Sequence, residues 1–211
     1  MSFRLFDKYA ERYDSWFERN WIIAHNELRV LREFSIENPS LEVGVGSGFF
    51  ASRLRVSLGI DPSWNMLKIA KMRGVDVIQA LGEMLPIRNN CFKTILIIVT
   101  LCFVEEPEKL IQECIRILKD YGKIIICIIP RDSSWGKHYI ELSKKEHPFY
   151  SKAKFYTIRE IQELLQKHTL KHTKTIGTLT FKPEEEPRQE EPVPYTENKD
   201  LGFICTEYTK S

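Results

Sequence analysis

Phe3, Phe6, Ala10, Tyr13 and Phe17 recur at helical spacing and predict one aromatic-faced helix over residues 3–18, followed by a second over about 21–34. The period then changes. "SLEVGV" (40–45) is a short buried strand, followed by a glycine-rich turn and a short helix through Leu54. "SLGID" predicts a second strand, and Ser63 caps a helix over "WNMLKIAKMR" that Gly74 ends. "VDVIQA" is a third strand. "TILIIVT" and "KIIICII" are continuous β-branched runs, the pattern of strands buried on both faces of a parallel sheet. Between them Leu110, Ile111, Cys114, Ile117 and Leu118 form the stripe of a helix with Pro107 in its first turn. Thr157 and Glu160 predict a capping box for a later helix. "KHTKTIGTLTF" and "LGFICTEYT" predict two last strands, joined by a Pro- and Glu-rich segment expected to be a mobile acidic loop.

Strand and helix therefore alternate from residue 41 to 129. Parallel strands need crossover helices, so the expected fold is α/β: a mostly parallel, seven-stranded Rossmann-like sheet with helices on both faces and a C-terminal antiparallel hairpin. One domain is expected over 1–211. It would comprise cap helices (1–38), a cofactor-binding core (39–130), a substrate segment (131–156) and a C-terminal helix and hairpin (157–211) whose acidic loop spans 183–200.

Ligands of such sheets sit at the carboxyl ends of the strands, which directs attention to "LEVGVGSGFF". The dinucleotide fingerprint needs a third glycine where this chain has Phe49, and no P-loop Lys-Ser/Thr follows. Glu42 beside the turn would repel a phosphate but suits an ammonium. Asp61 closes the second strand, where a carboxylate can accept two hydrogen bonds from a ribose diol. The loop thus reads as a cradle for an adenosyl ligand with a cationic tail.

Taken together, "LEVGVGSG", "GIDPS", "GEMLP" and "TLCFVEEPEKLIQECIRILKDYGKIII" resemble, in order and spacing, the class I S-adenosylmethionine-dependent methyltransferases. The branch that looks most similar is the type 11, ubiquinone/menaquinone C-methyltransferase-like group acting on small molecules. "FDKYAERYDSWF" resembles the helix that folds over the cofactor in that family. The likeness is specific over residues 3–130 and only architectural beyond. It implies that Gly44, Gly46 and Gly48 let the backbone approach the methionine and ribose, that Glu42 holds the amino group and that Asp61 binds the ribose hydroxyls. It further implies that Gly82 and Glu83 border the adenine and that Thr100 lies near the sulfonium. Two departures matter. Leu81 stands where relatives often carry an acid for the adenine amino group, and Cys102-Phe103 stands where they often carry a histidine pair that could act as a base.

The resemblance implies transfer of a methyl group from S-adenosylmethionine to a small-molecule acceptor, leaving S-adenosylhomocysteine. Tyr9 and Tyr13 are candidates to cover the sulfonium with their ring faces. Arg131, Trp135, His138 and Tyr139, after the fifth strand, are candidates to meet the acceptor. A nicotinamide-dependent oxidoreductase shares the fold, and a non-catalytic cofactor-binding regulator is the other alternative.

Bulk properties narrow partners more than chemistry. A net charge of +2, with 43% apolar and 28% charged residues, argues for no nucleic-acid or membrane partner. No signal-peptide pattern opens the chain, so a cytoplasmic monomer or homodimer is expected. His168 and His172 straddle a helix end with no third ligand, so no metal is expected. The five scattered cysteines are expected to be free buried thiols.

Overall fold

Strand–helix alternation does build a parallel sheet in the computed structural model, which describes residues 3–145 and 149–211. Residues 146–148 of the expected substrate segment therefore lie outside the described residues. The strands are β1 (Ser40–Val43), β2 (Leu58–Asp61), β3 (Val77–Gln79), β4 (Phe92–Ile98), β5 (Leu118–Ile128), β6 (Leu170–Thr178), β7 (Val193–Pro194) and β8 (Phe203–Lys210). They form one eight-stranded sheet in the order β3-β2-β1-β4-β5-β8-β6-β7. The first five pair in parallel, and β6, β7 and β8 join antiparallel. The eighth strand is β7, two residues inside the acidic loop.

The helices are α1 (Phe3–Lys8), α2 (Ala10–Arg19), α3 (Trp21–Arg32), α4 (Phe49–Leu54), α5 (Trp64–Met72), α6 (Pro107–Ile117), α7 (Ser134–Lys144) and α8 (Ile158–Gln166). The isoleucine runs are continuous because both sheet faces are covered. Leu96, Ile98 and Ile125 belong to the core under α2–α5 and α7. Ile95, Ile97, Ile124 and Ile126 belong to the core under α6 and α8. Ser63 caps α5, Thr157 and Glu160 form the capping box of α8, and Gly74 follows α5 with φ +79°.

The helix expected over 3–18 is instead two, breaking at Tyr9. Distant polar anchors override the continuous apolar stripe. The Asp7 carboxylate accepts from Ser63 Oγ and Asn65 N, both at 2.9 Å, which places an anion at the N-terminus of α5. Asp14 receives a bidentate pair from Arg73 at 2.6 and 2.9 Å, and Arg73 also donates to Ser47 O at 2.7 Å. Phe17 stacks on Phe49 with centroids 4.1 Å apart. Together these contacts fasten the first two helices over the glycine turn.

Two further expectations are corrected. The acidic loop is tethered rather than loose: Asn26 Nδ2 donates to Arg188 O at 2.8 Å, and Asn26 Oδ1 accepts from Glu190 N at 3.0 Å. Glu190 in turn accepts from Thr180 N at 2.9 Å, and Arg29 pairs with Glu191. Because Asn26 is fully buried, Asn26→Ala leaves two backbone groups unmatched and should cost about 1–3 kcal/mol. Chemical denaturation with limited proteolysis at 183–192 checks this. Cys127 and Cys205, expected as thiols, are directly opposed on β5 and β8 and form a disulfide across 78 residues of chain. Cysteine usage therefore no longer argues for a reducing compartment. Cys91, Cys102 and Cys114 are free. No described helix is long and apolar enough to cross a membrane.

Candidate active site

β1 is flanked by β2 on one side and β4 on the other, so the sheet's switch in direction falls at its carboxyl end, where the chain enters Gly44–Gly48. All three glycines have positive φ, at 75°, 51° and 74°. Their reasons for being glycine differ. A Cβ on Gly44 would lie 2.2 Å from the Thr100 side chain, and one on Gly48 would lie 2.9 Å from Ala70 Cβ. Those two sites are small because the protein packs against itself. A Cβ on Gly46 would meet nothing within 4 Å. Only there does the turn face open space.

That space is a pair of adjoining cavities. The first, about 250 Å³, runs from Gly44, Gly46 and Asp61 to Leu81, Gly82 and Glu83, with Thr100 on its wall and Phe3 and Phe6 over it. The second, about 420 Å³, lies under α2, α3 and α7. Tyr13, Gly44, Gly46, Ile98, Val99 and Phe103 line both. Val99 sits at φ +48°, a region costly for a β-branched side chain, right where β4 reaches the junction.

Carboxyl groups are concentrated here in unusual surroundings. Asp61 accepts from Gly46 N at 3.0 Å and Ser63 N at 2.8 Å. Burial nevertheless pushes its pKa up to about 6 against the lowering effect of those N–H groups. Glu42 is 2% exposed and its Oε2 has no hydrogen-bond partner among the described residues. Burial first, and the nearby Asp61 charge second, hold its carboxyl well above the usual range. Glu27, on α3 and 6% exposed, faces the second cavity, and burial alone pushes it up to about 8. Burial likewise raises the phenols of Tyr13, Tyr139 and Tyr150, which remain protonated and can donate.

The raised Glu27 has a consequence for stability. Unfolded Glu27 ionises near 4.5 while folded Glu27 holds its proton to about 8, so this group's stabilising contribution is full below 4.5 and is lost as pH rises through 8. Glu27→Gln should therefore raise the melting temperature at pH 8 and leave it little changed at pH 4.5. Thermal unfolding across that range checks it.

Similarity to known proteins agrees with this geometry. A family profile described as a methyltransferase domain matches residues 41–126, from β1 into β5. A crystal structure from Thermotoga maritima, described as an S-adenosylmethionine-dependent methyltransferase and "possible histamine N-methyltransferase", is 31% identical and covers 100% of each chain with a TM-score of 0.94. This chain belongs to the S-adenosylmethionine-dependent methyltransferases. An uncharacterised protein of Methanocaldococcus jannaschii is 44% identical over 175 residues, 83% of this methyltransferase and 85% of its own length. The demethylmenaquinone methyltransferase of Renibacterium salmoninarum is more distant, 27% identical over 135 residues, 58% of this chain and 56% of that protein. Neither the nicotinamide alternative nor the non-catalytic one is favoured by these relationships.

S-adenosylmethionine is thus the cofactor of this methyltransferase, and its residues fit the group. Gly46 presents bare backbone to open space, and Glu42 Oε2 and Ser47 Oγ are buried polar atoms with no hydrogen-bond partner among the described residues. Of the residues named from sequence, Gly44, Gly46, Asp61, Gly82, Glu83 and Thr100 line the first cavity, and Glu42 lines the second. Gly48 lines neither and acts through packing. Tyr13 is shared, whereas Tyr9 lines neither cavity and packs against Phe149 under the Lys8 ammonium. Trp135, His138 and Tyr139 line the second cavity. Arg131 does not: it is paired to Glu160 at 3.0 Å beside the α8 cap. Sequence reasoning passed over Glu27 and Ser47. Glu27 carried a signal, a lone acid on the buried stripe of Ile23, Val30 and Leu31.

Proposed function

We propose that this methyltransferase acts on a small-molecule acceptor held in the second cavity, with the adenosyl part of its cofactor in the first. The supporting observation is the shared wall at Tyr13, Gly46, Ile98 and Phe103, which brings the two cavities edge to edge. In this reading Asp61 accepts from the ribose hydroxyls, Glu42 meets the methionyl ammonium, and Gly82 and Glu83 border the adenine. Leu81 offers no acceptor, so adenine recognition falls to backbone groups there. Gly44 and Thr100 shape the floor. The described parts of 1–38 and 131–156 act as cap and acceptor wall around a 39–130 core, with 157–211 completing the sheet.

S-adenosylmethionine supplies a methyl group already activated by the sulfonium. What the chain contributes is alignment in a dry site, which can account for about 7–11 kcal/mol of barrier. The Tyr13 ring, on the wall common to both cavities, is placed to favour positive charge at the junction. A recess of about 420 Å³ suits a small molecule. The Thermotoga relative's description, which names a small amine, agrees with that size class.

Incubation with methyl-labelled S-adenosylmethionine and a cell extract, fractionated by size, tests the proposal. Label is expected in the small-molecule fraction. Label confined to protein or RNA would contradict it.

A further inference from the structure

We propose that the second cavity binds a small apolar or aromatic amine as its acceptor, and that Glu27 takes the proton the nitrogen must shed. The inference rests on the small-molecule reading above and gives it a substrate class.

Glu27 is its anchor. It lies on α3 among buried Ala24, Leu28 and Leu31, where an acid costs stability unless something compensates. Its neighbour Asn26, equally buried, spends its amide on the 188–190 backbone. Glu27 has no such outlet: no hydrogen bond or ion pair joins its carboxyl to any described residue. It faces instead a space walled by rings, including Tyr13, Trp16, Phe17, Trp135 and Tyr139. Ring faces attract cations, and more strongly when water is excluded. The charged groups at the rim, Arg12, Arg19 and Glu185, are exposed and screened by solvent, so they act on the interior less than buried Glu27 does.

With Glu42 turned to the methionyl ammonium, a carboxylate or phosphate acceptor would find no buried basic side chain among the described residues of this wall, only the acid Glu27. A neutral alcohol would gain little from the rings. An ammonium gains from both, and its nitrogen becomes a nucleophile once deprotonated.

The step balances. As the ammonium docks, its charge favours ionised Glu27, which gives up to solvent the proton it holds in the free protein; the ammonium N–H proton then passes to that carboxylate and frees the nitrogen lone pair. That pair forms the N–C bond to the methyl carbon as the C–S bond breaks, its electrons staying on sulfur. The products are the N-methylated ammonium, S-adenosylhomocysteine and protonated Glu27, the form that burial favours in the free protein. Total charge is +1 before and after. Tyr139 and Tyr150, their phenols held protonated, can donate but cannot replace Glu27 as proton acceptor.

Calorimetric titration of the protein saturated with S-adenosylhomocysteine tests the inference. The probes are 2-phenylethylamine, tyramine and tryptamine, each against its alcohol counterpart: 2-phenylethanol, tyrosol and tryptophol. At least one amine is expected to bind about tenfold or more tightly than its alcohol. Glu27→Gln should erase that preference while keeping S-adenosylhomocysteine affinity within about twofold, the size of effect expected of a residue outside the cofactor's contacts. Glu27→Asp, which keeps the charge but retracts it, should fall between and guards against a folding defect in the amide variant. Alcohols binding as well as amines, no measurable binding of any amine, or a preference surviving in Glu27→Gln would each overturn the inference. Failure of wild type to bind S-adenosylhomocysteine would instead bring down the two-cavity reading itself, and the amine assignment with it.

Discussion

Gly46→Val should abolish S-adenosylhomocysteine binding, lowering affinity beyond what a titration can detect. The residue has φ +51°, its missing side chain points into open space, and it borders both cavities. Isopropyl there occupies the volume at which the two ligands must meet. The substitution also carries a conformational cost of about 1–2 kcal/mol, because L residues are strained in the left-handed region. Gly74 separates the two effects. It has φ +79° and equally open space around a Cβ, yet lies past the end of α5 and lines neither cavity. Gly74→Val should lose similar stability and bind S-adenosylhomocysteine as wild type does. Calorimetry and thermal unfolding of both variants check this. Equal binding by Gly46→Val and wild type would remove the turn from the site.

Asp61→Ala should weaken S-adenosylhomocysteine by about 1–3 kcal/mol, roughly fivefold to 150-fold, through loss of the acceptor proposed for the ribose hydroxyls. The same carboxylate also holds Gly46 N and Ser63 N, so part of the loss is a looser turn. pH distinguishes the contributions. Ribose hydroxyls donate to the ionised form, and Asp61 titrates near 6 when its site is free. Affinity should therefore be full above that value and fall as pH drops through it. Asp61→Asn keeps the shape, lacks the titration, and should be weak and flat across the same range. A wild-type affinity independent of pH between 5 and 7 would place the ribose elsewhere.

The sheet was legible because parallel strands buried on both faces leave an unmistakable trace, the isoleucine runs of β4 and β5, and because Ser63, Gly74 and Thr157 punctuate the helices between them. Local chemistry decides such features. What escaped is decided at a distance. The break at Tyr9 follows from Asp7 and Asp14 reaching residues more than 50 positions away. β7 is two residues with no period to detect, and its loop is pinned by Asn26 from the far end of the chain. The Cys127–Cys205 bond depends on the register of β5 against β8.

The site shows the same division. Asp61 and the three glycines were singled out by their order along the chain, but spacing does not tell Gly46, which opens on both cavities, from Gly44 and Gly48, which make room for Thr100 and Ala70. Arg131 looked available because it follows the fifth strand, and Tyr9 because it lies in the segment resembling the helix over the cofactor, yet Glu160 and Phe149 engage them. Glu27 is the converse case. Its position on an apolar stripe was visible, but its meaning depends on helix α3 closing one side of a cavity whose other walls come from α2 and α7.

A crystal structure with S-adenosylhomocysteine bound tests the central claim most directly. The ribose is expected on Asp61, the adenine beside Gly82 and Glu83, and the sulfur at the wall formed by Gly46 and Tyr13, facing Glu27's cavity. A ligand lying wholly within the second cavity, or with its sulfur turned away from that junction, would contradict it.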